Sequence, residues 1–277
     1  MKRIGFLAYG VVCYLLFSAV YAWMGAFVGN LLLPHTIDRG PSSRPLTAVI
    51  IDVLLILAFG LQHSIMARPS FKHLWTRIVP QPIERSTYVL ASCLVTVLLL
   101  WQWRPIDIVV WSFPSGPGWW ITTGLFVVGW LAVPAVSLMI NHFDLFGIRQ
   151  VWLYFQGKPY TSLPFRTPLA YSTMRHPLYV GWAIFFWSAP VMTVGHILFA
   201  GLLTSYMLVA VVYEERDLIA HFGEEYRDYC RKVPQFIPRF SFGRKEESAQ
   251  KQLTEATESI SREMEMFRKK EEKQVVS

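Results

Sequence analysis

The apolar residues of this chain come in blocks of about 18 to 25, the length at which a helix crosses roughly 30 Å of hydrocarbon. Spans are expected at roughly 4–33, 46–66, 86–103 and 119–140, followed by a long apolar stretch over 177–213. With 53% hydrophobic and only 16% charged residues, the balance is that of a membrane protein. The fold class expected is all-α and polytopic. The run from Ile4 to Leu33 is too long for the apolar core of a signal peptide, so it is read as a spanning helix in spite of Lys2 and Arg3 before it.

The loops sort by charge. Arg68, Lys72, Arg77 and Arg85 fall in one, Arg104 alone in the next, and Arg149, Lys158, Arg166 and Arg175 in the one after. The positive-inside rule then places the N-terminus and the 67–85 and 141–175 loops in the cytoplasm. Arg216, Arg227, Arg231 and Lys232 must return to the same side. The stretch 177–213 therefore crosses twice, as a helical hairpin broken at "APVMTVGH" (189–196), giving about six spans with both termini cytoplasmic. Topology accounts for the net charge of +7 without nucleic acid as a partner. Tyr213, Leu218, Phe222, Tyr226 and Tyr229 at helical spacing predict a helix lying at the membrane surface.

Two units are expected, a transmembrane domain over 1–242 and a charged tail over 243–277, where eight basic and eight acidic residues cancel. Leu253, Ile260 and Phe267 give that tail one weak heptad stripe. Cys13, Cys93 and Cys230 are isolated and read as small packing residues, and the seven histidines form no metal-binding spacing.

Three polar stretches converge on the cytoplasmic side: "NHFDLFGIRQ" (141–150), "AYSTMRHPLYVGW" (170–182) and "EERDL…HFGEEYRDYCRKVP" (214–234). Pro177 suits the first position of a helix, with His176 at its N-cap, and a helix start attracts a carboxylate or phosphate. Arg175 lies just before it. Glu214 and Glu215 return to the same side, where paired carboxylates suit an ammonium group or ribose hydroxyls. Tyr171 and Tyr179 offer faces to a cation. Interfacial decoration by the same residues is the plain alternative.

"RHPLYVGW", "EERDL" and "HFGEEYRDYCRKVPQFIP", in that order, resemble the C-terminal signature of the isoprenylcysteine carboxyl methyltransferase superfamily. "QHSIMARPSFK", "WQWRPI" and the stretch from "FDLFGIRQ" to "RHPLYVGW" are most similar to its nurim-like branch, over most of residues 1–240. The resemblance implies a membrane methyltransferase that uses S-adenosylmethionine. It implies cofactor contacts at Tyr171, His176, Pro177, Leu178, Tyr179 and Glu214, and more loosely at Gln156 and 163–166.

One position departs from that pattern. The carboxyl methyltransferases carry a substrate-binding arginine four residues before the glutamate matched by Glu214, where this chain has Ala210. A carboxylate substrate needs that cation and a small neutral thiol does not. The resemblance thus implies S-methylation of methanethiol to dimethyl sulfide, with substrate and product partitioning through the bilayer. A prenylcysteine, a phospholipid amine, another small thiol, or a non-catalytic nurim-like role are the alternatives. His142 is expected to be the base, oriented by Asp144, with Arg149 stabilising the thiolate; the seven-residue spacing puts His142 and Arg149 on one helical face if the helix is unbroken. His63 is a second candidate. The sequence carries no signal of oligomeric state.

Overall fold

In the computed structural model of the chain, residues 1–41 and 43–238 are described; the expected tail and its stripe at Leu253, Ile260 and Phe267 lie outside them. Among the described residues five helices are long and apolar enough to span a bilayer: α1 Lys2–Val28, α2 Pro45–Ala67, α4 Gln81–Gln102, α5 Gly116–Ile140 and α9 Val194–Phe222. At most 39% of any spanning window is buried within the protein, so most of each apolar surface is left for lipid. Prolines at the first or second position start α2, α4 and α5, where a missing N–H costs nothing. Helix α1 packs on α4, α2 on α4 and α9, and α5 on the short helix α8 Pro177–Trp187.

The first span ends earlier than its apolar run. Asn30 and Leu32 take positive φ (55° and 53°), and the Asn30 side chain turns back to Thr36 and Asp38. The expected hairpin is present, but its first arm is not a full span. Helix α8 has 11 residues, about 16 Å and half the hydrocarbon thickness. Beyond it the chain becomes extended and forms β2 Val191–Thr193, antiparallel to β1 Val109–Ser112, with Val109 opposite Thr193 and Trp111 opposite Met192.

This extended passage satisfies its backbone groups through the 106–113 segment. Phe113 N–H donates to Pro190 (2.8 Å), Val194 N–H to Ile108 (2.9 Å) and Gly195 N–H to Ile106 (3.0 Å). Non-helical backbone near a bilayer is tolerable on that condition.

The expected surface helix is also divided differently. Tyr213 and Leu218 prolong α9 as far as Phe222, Gly223 breaks it at φ 61°, and only α10 Glu224–Lys232 is separate. Between α5 and α8 the chain forms α6 His142–Leu145, α7 Ile148–Phe155 and a 3-10 turn at Leu169–Ser172; α3 Pro69–Trp75 follows α2.

Helices α5 and α8 approach closely because Gly129 faces the other backbone. A Cβ at Gly129 would stand 2.4 Å from the Phe185 nitrogen and 2.8 Å from its Cα. No side chain can move aside there. Gly129→Ala is therefore expected to cost about 1–3 kcal/mol through forced separation of the helices. The check is a lower unfolding midpoint in detergent, with Gly124→Ala, which meets nothing within 4 Å, as the control.

Candidate active site

Pro177 opens α8 and His176 occupies its N-cap, as the sequence leads one to expect. The His176 ring, however, does not cap the helix. Its Nε2 bonds Glu215 Oε1 at 2.8 Å. Arg175 Nε donates to the same oxygen at 2.8 Å, and its Nη1 donates to the Cys230 and Val233 carbonyls at 3.1 and 2.7 Å. The Arg175 and His176 amides donate to the Pro234 and Gln235 carbonyls. The start of α8, the end of α9 and the segment after α10 are thus tied at one carboxylate. Arg175 and Glu215 are mostly buried, at 13% and 17% side-chain exposure, and spend their polar atoms on each other, on His176 and on the Cys230 and Val233 carbonyls.

Glu214, one residue earlier, is placed differently. It is exposed, and among the described residues its one hydrogen-bond partner is the Tyr179 hydroxyl, at 2.7 Å. Tyr171 lies within electrostatic range of it; burial first, and the Glu214 carboxylate second, push its phenol above the usual range. The Tyr229 hydroxyl, itself pushed up to about 12 by burial, donates to the Tyr171 carbonyl and fixes that turn. A carboxylate with one committed oxygen suits an ammonium or a ribose hydroxyl, phenol rings suit a positive centre, and a helix start suits a carboxylate.

Pro177 is buried and Leu178 sits in the first turn. Gln156 ends α7, is exposed, and has no side-chain hydrogen bond to this group among the described residues. In the 163–166 stretch, Phe165 packs on Phe222, Tyr226 and Tyr229 beneath the Glu215 tie.

The second expected cluster does not assemble as the sequence suggests. Gly147, at φ 86°, separates α6 from α7, so His142 and Arg149 share no continuous helical face. Asp144 pairs with Arg149 at 2.9 Å, and Arg149 also donates to Thr161. Neither side chain bonds His142.

The partners of His142 are Ser137 Oγ on Nδ1 (2.7 Å) and the Tyr14 hydroxyl on Nε2 (2.8 Å). Ser137 gives its own proton to the Pro134 carbonyl, which can only accept. The network therefore assigns the proton of neutral His142 to Nδ1 and leaves Nε2 to accept from Tyr14. Burial holds the His142 pKa below its ordinary range, which keeps the ring neutral.

The same relay occurs a second time. His63 Nδ1 meets Ser92 Oγ at 3.2 Å, and its Nε2 meets the Tyr88 hydroxyl at 2.8 Å. Ser92 donates to the Tyr88 carbonyl at 3.0 Å, so the proton sits on Nδ1 here too. Tyr14, Ser137, Tyr88 and Ser92 carry no local signal, because each serine–histidine–tyrosine set is assembled across two or three helices.

A methanethiol S-methyltransferase of Crocosphaera subtropica is 50% identical over 238 residues, covering 86% of this chain and 93% of that protein. The chain belongs to the methanethiol S-methyltransferase family. A member from Mycobacterium tuberculosis is 44% identical over 238 residues, 86% of this chain and 98% of its own length. A nurim homolog of Drosophila pseudoobscura pseudoobscura is more distant, 33% identical over 224 residues, 72% of this chain and 88% of its own. No protein-family model and no solved structure matches the chain. The family makes this chain a membrane thiol methyltransferase, as its five spans and its relatives' names require.

Two outcomes follow from the site. Glu215→Ala leaves the Arg175 charge buried without its partner, which costs about 3–5 kcal/mol; Glu214→Ala is exposed and leaves the unfolding midpoint nearly unchanged. Thermal unfolding of the two variants in detergent separates them.

The second concerns His142, whose folded pKa lies below the unfolded value of about 6.5. Between the two values the unfolded chain binds the proton, so the neutral ring contributes fully above about pH 6.5 and the contribution is lost as pH falls toward the folded value. Midpoints measured from pH 7.5 down to 5.5 are expected to drop further in the parent protein than in His142→Gln.

Proposed function

We propose that this protein transfers a methyl group from S-adenosylmethionine to methanethiol, giving dimethyl sulfide. The observation that carries the reading is the 50% identity over 93% of a relative named for that activity. Residues 1–242 form the catalytic unit in this reading, in keeping with a match of 238 residues, and 243–277 stand outside it.

The cofactor supplies a sulfonium methyl group, which passes to a thiolate sulfur as the carbon–sulfonium bond breaks. Glu214 would accept from its ammonium or ribose, Tyr171 and Tyr179 would face its positive centre, and the α8 start at Pro177 and Leu178 would hold its carboxylate. Arg175, His176 and Glu215 hold those groups in register without needing to touch it. Gln156 borders the site on the α7 side.

A neutral alkyl thiol with a pKa of roughly 10 must lose about 4 kcal/mol worth of proton affinity to react at neutral pH. Deprotonation falls to a neutral histidine that accepts through a tyrosine hydroxyl, and His142 with Tyr14 is one such pair. Asp144 and Arg149 act behind it by fixing the α6–α7 corner. Ala210, lying between Tyr206 and Glu214 at four-residue steps on one face of α9, leaves room for a small uncharged acceptor.

In this reading the end of the bundle that carries the basic loops faces the cytoplasm from a bacterial inner membrane, where the cofactor is soluble, while acceptor and product move through lipid.

Purified protein given S-adenosylmethionine and methanethiol is expected to release dimethyl sulfide, read in the headspace by gas chromatography. Glu214→Ala is expected to raise the cofactor dissociation constant at least about tenfold, by titration calorimetry. Cofactor binding without dimethyl sulfide would move the acceptor to another thiol or a prenylcysteine. Absence of binding would remove the reading.

A further inference from the structure

Of the two relays, the one on α2 and α4 stands beside the cofactor group. Tyr88 and Tyr206 are within electrostatic range of Tyr179, and Tyr206 is in turn within range of Glu214. Ser64, the neighbour of His63, bonds the Tyr206 hydroxyl at 3.2 Å. Tyr206, Ala210 and Glu214 are spaced by four along α9, so the face that carries Glu214 also carries the tyrosine that meets the His63 turn.

The His142 relay has two phenylalanines packed beside it. Phe17 and Phe146 stack at 3.9 Å; together they pack against the cluster of Val20, Met66, Tyr88, Val89 and Cys93, and Phe146 meets the His142 ring at 4.7 Å.

An arginine faces the Tyr88 ring. The Arg85 guanidinium lies 4.9 Å from the Tyr88 ring centroid and is held there by its bond to the Leu145 carbonyl at 2.7 Å. Arg68, which ends α2, is anchored to Asp217 at 3.0 Å and lies over Tyr213. The carboxylates within range of this group are Glu84, next to Arg85 in sequence, and Glu214, which already accepts from Tyr179. Ala210 leaves the acceptor side of the α9 face without a charge.

We propose that Tyr88, backed by His63 and Ser92, is the group that takes the thiol proton, and that Arg85 stabilises the resulting thiolate. The proposal rests on the methyl-transfer reading above. As the S–H bond breaks, its proton moves to the Tyr88 oxygen, and the phenol's own proton moves to His63 Nε2. The electron pair of the S–H bond stays on sulfur. Tyr88 ends neutral and His63 ends as an imidazolium whose Nδ1–H remains on Ser92. Tyr88 is therefore the catalytic residue, and His63 and Ser92 are positioning residues that act through it.

The test compares two acceptors. Methanethiol must be deprotonated in the site, whereas thiophenol is already largely a thiolate at neutral pH. Tyr88→Phe and His63→Gln are expected to lower kcat for methanethiol about 100-fold or more, within the usual range for a general base. With thiophenol the loss is expected to stay below about tenfold, and the dissociation constant for S-adenosylmethionine to stay within about twofold.

Equal losses with both thiols mean that Tyr88 is structural, and overturn the proposal. So does an acidity-dependent loss in His142→Gln that Tyr88→Phe lacks, which routes the proton through Tyr14. If the parent protein methylates neither thiol, the methyl-transfer reading itself fails and the proposal falls with it; that result is distinct because it appears before any substitution is made.

Discussion

A single carboxylate decides where the polar end of this bundle stands. Glu215 accepts from Arg175 and His176 together, and Arg175 carries the tie onward to the carbonyls after α10. Helix α8 is too short to be held in place by apolar packing over a full span. Its lower end therefore depends on this ion pair, and its flank on the close approach of α5 at Gly129. A buried pair of this kind contributes less net stability than its distances suggest, since both ions lose water. Its use here is directional: it fixes the first turn of α8, and with it the heading of Tyr179 toward Glu214.

The adjacent glutamates show how one dipeptide divides its work. Consecutive positions on a helix point about 100° apart, so Glu215 turns inward to the arginine while Glu214 stays exposed with one oxygen on Tyr179. The two serine–histidine–tyrosine relays show the converse, the same chemistry reached twice from unrelated stretches. In each, a serine that has given its proton to a backbone carbonyl forces the histidine tautomer, and the free nitrogen faces a phenol. Burial keeps the His142 ring neutral and able to accept.

Much of this was legible in the residues. The apolar blocks marked four spans and the hairpin, and "RHPLY" announced a helix start with Pro177 at its first position. The absence of a cation at Ala210 pointed to a small acceptor. Less legible was how far each helix runs. Pro190 and Gly195 marked the break at 189–196, but hydropathy cannot tell a plain turn from the extended passage that pairs β2 with β1. Gly147 likewise looked like an ordinary residue within "NHFDLFGIRQ", yet its positive φ parts His142 from Arg149.

What the amino-acid order settles is therefore local: which segments enter lipid, where helices begin, and which stretches gather charge on one side. Hydrocarbon length, proline geometry and the charge bias of loops act over a few residues to a few tens, and leave periodic traces. The partnerships of the site belong to the folded chain. Glu215 meets Arg175 across 40 residues, His142 meets Tyr14 across 128, and His63 meets Tyr88 on a neighbouring helix. No periodicity records such pairs, because they depend on which helices pack together and how each is turned about its axis, and that is decided only when the close-packed interior selects one arrangement.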